Sequence, residues 1–204
     1  MPDVHPATLS AIAGGTVVLG LSLLGARHPT IHPTEQRVFR AVNGLPDWLY
    51  WPLWLPMQLG NLVVGTVAGL ALALAWGDAP LAIGVVAAAA LKLLAERLIR
   101  RWMAPYLSVR QRPGTSEPGA RLRGDDVPSS GMSFPSGHIV LVAAVTAVIV
   151  DDVAATWLGV PGLLVLAVMV GRVYVGAHNP LDVTAGLGAG LLAGGLVGLA
   201  LTLL

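Results

Sequence analysis

The chain has 204 residues, of which 55% are hydrophobic and 11% charged; its mean hydropathy is +0.74, its net charge is +1, and it contains 25 Gly and no Cys. Soluble domains carry about 25% charged residues, so the composition excludes an ordinary water-soluble globule and equally a disordered chain. Without Cys there is no disulfide framework, thiolate zinc site or cysteine nucleophile, and the near-neutral charge carries no nucleic-acid footprint.

A helix crossing the hydrocarbon core needs about 20 apolar residues, and six segments qualify: 7–26, 52–76, 79–98, 136–150, 155–175 and 181–204. The first is preceded by Asp3 and by no Lys or Arg, so no basic n-region of a signal peptide is expected. Between the first and second, 33–51 reads as a short amphipathic helix lying on the membrane surface. It has Val38, Val42 and Leu45 on one side, Glu35, Arg37 and Arg40 on the other, and an aromatic belt of Trp48, Tyr50, Trp51 and Trp54. Gly77-Asp78-Ala79-Pro80 forms a tight turn between the second and third segments. A polar stretch, 100–134, follows the third; it either contacts a head group or forms a solvated cover. Asp151-Asp152 and Asn179-Pro180 separate the remaining segments, and Gly186, Gly190 and Gly194 form a small-residue stripe suited to helix packing in lipid. The expected fold is all-α: one polytopic membrane domain over 1–204, six transmembrane helices in a bundle and one interfacial helix.

Helix parity sorts the polar residues. Eleven Arg (27, 37, 40, 97, 100, 101, 110, 112, 121, 123 and 172) fall on or near one face, while Asp3, Asp78, Asp151 and Asp152 mark the other. Three clusters converge on the basic face: Lys92 with Arg112-Pro113, then Pro135-Ser136-Gly137-His138, then Gly171-Arg172 with His178 and Asp182. Ionisable groups at membrane depth are costly and therefore point to function. Lys92, Arg112 and Arg172 form a cationic bowl, and a helix starting near Ser136 and Gly137 adds free N–H groups. Arg matches phosphate oxygens with its planar fork, so the expected ligand is a phosphate group. A neutral imidazole can attack phosphorus and a second can protonate the leaving oxygen. His178 and Asp182 are four residues apart, on one helix face, where the carboxylate can orient the ring. Other readings compete. His5, His28 and His32 read as interfacial residues, Lys92 can pair with Glu96 at i, i+4, and a metal held by His138, His178 and Asp182 would be repelled by the surrounding cations. An anion or lipid-phosphate transporter or binding protein could use the same cationic site.

At these residues the chain resembles the type 2 phosphatidic acid phosphatase family, related to the vanadium haloperoxidases. Pro135 to His138 matches the second part of that family's signature, and Arg172, His178 and Asp182 match the third, with Gly171 in place of Ser. The first part departs: Lys92 lies twenty residues before Arg112, where the family has seven, so Arg100 or Arg110 are rival cations. The resemblance implies an integral-membrane lipid phosphatase in which His178 forms a phosphohistidine, Asp182 orients it and His138 protonates the leaving alkoxide. Lys92, Arg112, Arg172, Ser136 and Gly137 would hold the phosphate; no metal and no cofactor is implied. The expected partners are a lipid phosphate and membrane lipids. Candidate substrates are phosphatidate, phosphatidylglycerol phosphate, prenyl diphosphates and polyprenyl-phosphate sugar phosphates. The Arg asymmetry favours a cytoplasmic catalytic face of the cell membrane under the positive-inside rule, whereas many family members face outward.

Overall fold

Local chemistry carried by the sequence sets the helix ends. In a computed structural model describing residues 5–28, 30–106, 110–153, 155–157 and 159–202, α1 spans Pro6–Ala26, with the His5 ring accepting from the Ala7 N–H at 3.3 Å. His32 caps α2 (Pro33–Asn43) in the same way through Thr34. α3 is Tyr50–Met57 and α4 is Leu62–Trp76, which ends on Gly77 at φ 70°, a left-handed position suited to Gly. Asp78 then accepts from Leu81 N–H at 2.7 Å and starts α5, Ala79–Met103, so the predicted turn is present. α6 is a single turn, Pro113–Ser116; α7 is Gly137–Ile149, α8 is Gly159–Tyr174, and α9 is Pro180–Leu201, opened by an Asn179/Asp182 capping box. Asp3 and positions 203–204 lie outside the described residues. Among the described residues there is no strand, only an isolated antiparallel bridge between Gln111 and Met132.

The protein is an all-α polytopic membrane protein. α1, α5 and α9 are long and apolar enough to cross a membrane by themselves. The predicted continuous span at 52–76 is instead two pieces, Asp47–Gly60 and Leu62–Trp76, bent by 77° at Asn61. Pro56 supplies no backbone N–H, which weakens the end of α3. Asn61 then accepts from Val63 and Val64 N–H and restarts the helix in a new direction. α7 and α8 are apolar but only 13 and 16 residues long. At about 1.5 Å per residue, α7 spans less than the hydrocarbon thickness. Residues Ile139 to Val145 of α7 are all buried, so it serves as the core of the bundle with protein on every side. Where six crossings were expected, three helices among the described residues are long enough to cross alone, or four if the bent pair is one span.

α9 packs between α1 and α7. Its Gly stripe meets α7: a Cβ on Gly190 would lie 2.5 Å from the Val140 carbonyl oxygen, and one on Gly186 2.7 Å from that of Ser136. Gly188 and Gly195 serve the other flank, against α1. Apolar burial gives no driving force between helices in lipid, so this close backbone contact supplies the packing energy. It also fixes the N-termini of α7 and α9 side by side.

The segment expected to be a surface connector does more. Trp48 and Trp51 are exposed, as an interfacial belt requires, but Phe39 and Asn43 of α2 are buried. The Asn43 amide donates to the Arg121 and Tyr174 carbonyls and accepts from Arg121 N–H. α2 is thereby tied to the 113–131 loop and the end of α8.

Candidate active site

The polar loop after α5 is exposed over much of 118–132, but its two ends are built into the bundle. Its two arms meet as a minimal ribbon: Arg112 N–H donates to Gly131 O at 3.0 Å and Ser133 N–H to Arg110 O at 3.1 Å. Extended backbone sends residues two apart to the same side, so Arg110 and Arg112 both turn toward the helix ends beneath. Ser133 leads through a cis Phe134–Pro135 bond into Ser136, the first residue of the α7 turn.

His178 lies in the turn between α8 and α9, 4% exposed. Its Nδ1 is 2.8 Å from the Ser133 carbonyl oxygen. A carbonyl only accepts, so Nδ1 carries the proton and Nε2 has a free lone pair. Burial, then the charges of Arg172 and Arg112 and the neighbouring His138, hold this imidazole well below its usual pKa. His178 is therefore neutral at physiological pH, in the tautomer a nucleophile needs.

His138 sits on the first turn of α7, packed against the α3–α4 break: a Cβ on Gly60 would lie 2.6 Å from that of His138. With Arg172 it lines a small polar cavity shared with Tyr50, Gln58, Asn61 and Asp126. Arg172, in the last turn of α8, is buried, and its Nε has no hydrogen-bond partner among the described residues. Arg112 donates to the Ala177 carbonyl at 2.9 Å, and burial followed by the nearby charge of Arg100 lowers its pKa. Arg100 also has a buried Nε without a partner among the described residues. Cations gathered this closely, with buried donors unspent, are organised for an anion.

The helix N-terminus is used differently from expectation. Ser136 N–H is taken by the Asp182 carbonyl at 3.0 Å, so it does not face a ligand; among the described residues the amides of Gly137 and His138 have no backbone acceptor. The Ser136 hydroxyl is buried and unpaired among the described residues, which leaves that side chain as its free donor. Lys92 pairs with Glu96 at 3.1 Å. The Glu96 carboxylate occupies the place a Cβ on Gly137 would need, so Lys92 reaches the α7 N-terminus through Glu96.

Asp182 stands behind His178 and does not touch it: the nearest approach, Oδ2 to Nδ1, is 3.9 Å. The orienting role expected of Asp182 is therefore not carried by a direct hydrogen bond: the Ser133 hydroxyl lies 3.4 Å from Nδ1 and donates to Asp182 Oδ2. Asp182 Oδ1 accepts from Arg110 at 2.6 Å, and Arg110 forks onto Glu35 at 2.9 and 2.8 Å. Burial opposes the Arg110 charge, but Asp182 and Glu35 outweigh it and raise its pKa. Both terminal nitrogens of Arg110 face carboxylates, so it is not a rival phosphate cation. Ser133 and Glu35 had no role in the sequence reading. Ser133 was legible only as a polar residue three before Ser136, and Glu35 only as the polar side of an amphipathic helix.

With the geometry in hand, comparison with known proteins is informative. The family model described as "PAP2 superfamily" matches residues 79–202, more than half of the chain. No curated protein matches the sequence. Two solved structures share the fold. One is the crystal structure titled as the first transmembrane PAP2 type phosphatidylglycerolphosphate phosphatase from Bacillus subtilis (TM-score 0.71, 21% identity, 92% of this chain and 94% of that one). The other is LpxE of Aquifex aeolicus (TM-score 0.68, 19% identity, 80% and 93%). The family match takes in Lys92, Arg112, Ser136, Gly137, His138, Arg172, His178 and Asp182, and the chain belongs to the PAP2 superfamily.

Proposed function

We propose that the protein is a membrane phosphatase that hydrolyses a lipid phosphate through a phosphohistidine. The observation that carries this reading is the state of His178: Nδ1 is committed to the Ser133 carbonyl, leaving Nε2 unprotonated beside Arg172 and Arg112.

In this reading Nε2 of His178 attacks phosphorus as the bond to the lipid oxygen breaks. Arg172, Arg112, Lys92, the Ser136 hydroxyl and the Gly137 and His138 amides stabilise the phosphoryl oxygens, a preorganised electrostatic contribution. His138, which lines the Arg172 cavity and must enter the step as the imidazolium, gives its proton to the departing alkoxide. It then takes a proton from water as the hydroxide displaces His178 and releases inorganic phosphate. The phosphorylated ring keeps its Nδ1 proton and is cationic, which the buried Asp182 carboxylate stabilises. No metal or cofactor enters a step.

A lipid substrate follows from position, since the site sits at the ends of apolar helices. Phosphatidylglycerol phosphate, the substrate of the Bacillus subtilis neighbour, heads the substrate panel, followed by phosphatidate, prenyl diphosphates and polyprenyl-phosphate sugar phosphates. The test is phosphate release by purified protein across this panel with EDTA present. Release that persists in EDTA and vanishes in His178→Ala supports the mechanism; release unchanged in that variant would sink it.

A further inference from the structure

Asp182 makes no direct hydrogen bond to His178, yet it sits at the centre of a polar chain that is buried except at its outer end, Glu35. Ser133 is fixed at three points. Its N–H donates to the Arg110 carbonyl, its own carbonyl accepts from His178 Nδ1 at 2.8 Å, and its hydroxyl donates to Asp182 Oδ2 while lying 3.4 Å from Nδ1. Asp182 Oδ2 also accepts from Asn179 N–H at 2.8 Å, and its Oδ1 accepts from Arg110. Glu35 Oε1, beyond Arg110, accepts from Leu181 N–H at 3.0 Å at the head of α9. Ser133 and Asp182 are 0% exposed and Arg110 is 2% exposed.

Burying a carboxylate and a guanidinium is expensive unless each is paired and hydrogen-bonded. Here every carboxylate oxygen of Asp182 has a donor. Donors on both oxygens of Asp182 favour its ionised form, and Arg110, held square by Glu35, is the cation paired with it. The Ser133 carbonyl can then stay aimed at Nδ1.

We propose that Asp182 acts on His178 through Ser133, and that Arg110 and Glu35 are positioning residues that set this relay from the amphipathic helix α2. The inference rests on the nucleophile role given to His178 above. As phosphorus bonds to Nε2 and the lipid oxygen leaves, the positive charge on the ring is met by the Ser133 carbonyl directly and by Asp182 at one remove; no proton passes along the chain.

The test uses the full-length protein in nanodiscs with two readouts. The first is the ¹⁵N signal of the His178 ring, assigned by its loss in His178→Ala, which reports the tautomer without turnover. The second is the separation of kcat from KM on the best lipid phosphate. Wild type should show the Nδ1–H tautomer. Ser133→Ala should shift the ring toward mixed tautomers and lower kcat about ten- to hundredfold with little change in KM, the scale seen when a group that orients a histidine is lost. Ser133→Thr should restore both, and Arg110→Lys, which keeps the charge but not the fork, should fall between. A Ser133→Ala protein with wild-type tautomer and kcat would overturn the relay. So would a rise in KM alone, which would place the hydroxyl on phosphate. A wild-type protein with the Nδ1–H tautomer but no phosphate release would overturn the phosphatase reading while leaving the relay standing.

Discussion

At the scale of single residues, His178 links stability to pH as well as carrying the proposed chemistry. Its folded pKa is depressed by burial and then by neighbouring cations. Below about pH 6.5, the value of a free imidazole, the unfolded chain binds a proton that the native state refuses. The contribution of this group is therefore complete above that pH and is lost as pH falls toward the folded pKa. The melting temperature of wild type should drop on acidification through this window, and His178→Gln should flatten the drop; parallel curves would contradict the assignment. Gly137 offers a second residue-level expectation. Its missing side chain is the space filled by the Glu96 carboxylate. Gly137→Ala should displace Glu96 and with it Lys92, raising KM for the lipid phosphate while kcat falls less. An unchanged KM would detach Lys92 from phosphate binding. The types of residue needed for phosphate chemistry were visible in the sequence, because Arg172, His178 and Asp182 are close along the chain and Ser136, Gly137 and His138 are contiguous. The relay was not, because Glu35, Arg110 and Ser133 lie far apart in sequence and meet only when α2 and the 110–133 ribbon dock on α9.

At the scale of elements, ends were easier to read than continuity. Gly77 and Asp78 mark the α4–α5 turn by their own backbone and capping chemistry, and Asn179 with Asp182 opens α9 in the same way. The break between α3 and α4 was passed over because 52–76 is apolar taken as a whole, although Pro56, Gln58, Gly60 and Asn61 interrupt it locally. What makes the bend useful is a tertiary fact, the packing of His138 onto Gly60. The Gly stripe of α9 was legible as packing, and its consequence can be measured. A Cβ on Gly194 would press on Ala144 and Ala147 of α7. Gly194→Val should cost about 1–3 kcal/mol, the usual penalty for overpacking a filled interface, seen as a lower melting temperature in detergent. Since α7 carries His138 and α9 carries Asp182, activity should fall with it. Gly14→Val, at a position with open space around it, should change neither.

At the scale of the whole molecule, the chain puts its cations at one end of the bundle for two physically different reasons. Arg110, Arg112 and Arg172 are buried or partly buried: Arg110 donates to Asp182, Arg112 to the Ala177 carbonyl, and the Nε of Arg172 has no partner among the described residues, which fits the proposed phosphate role. Arg121 is exposed and Arg40 makes only a loose 3.6 Å approach to Glu117, so chemistry of the site does not explain them. Exposed Arg beside span ends is what orients a membrane protein, which leaves the catalytic end on the cytoplasmic side as the expected arrangement. The absence of Cys makes this directly measurable, because a single introduced thiol has no background. Arg121→Cys lies on the catalytic end and Thr156→Cys, also exposed, on the 150–158 connection at the other. In intact bacterial spheroplasts, an impermeant maleimide should label Thr156→Cys and spare Arg121→Cys until the membrane is opened. The reverse pattern would place the site outside. The basic residues would then be reading anionic head groups on the outer leaflet, and the substrate would have to be a lipid phosphate presented there.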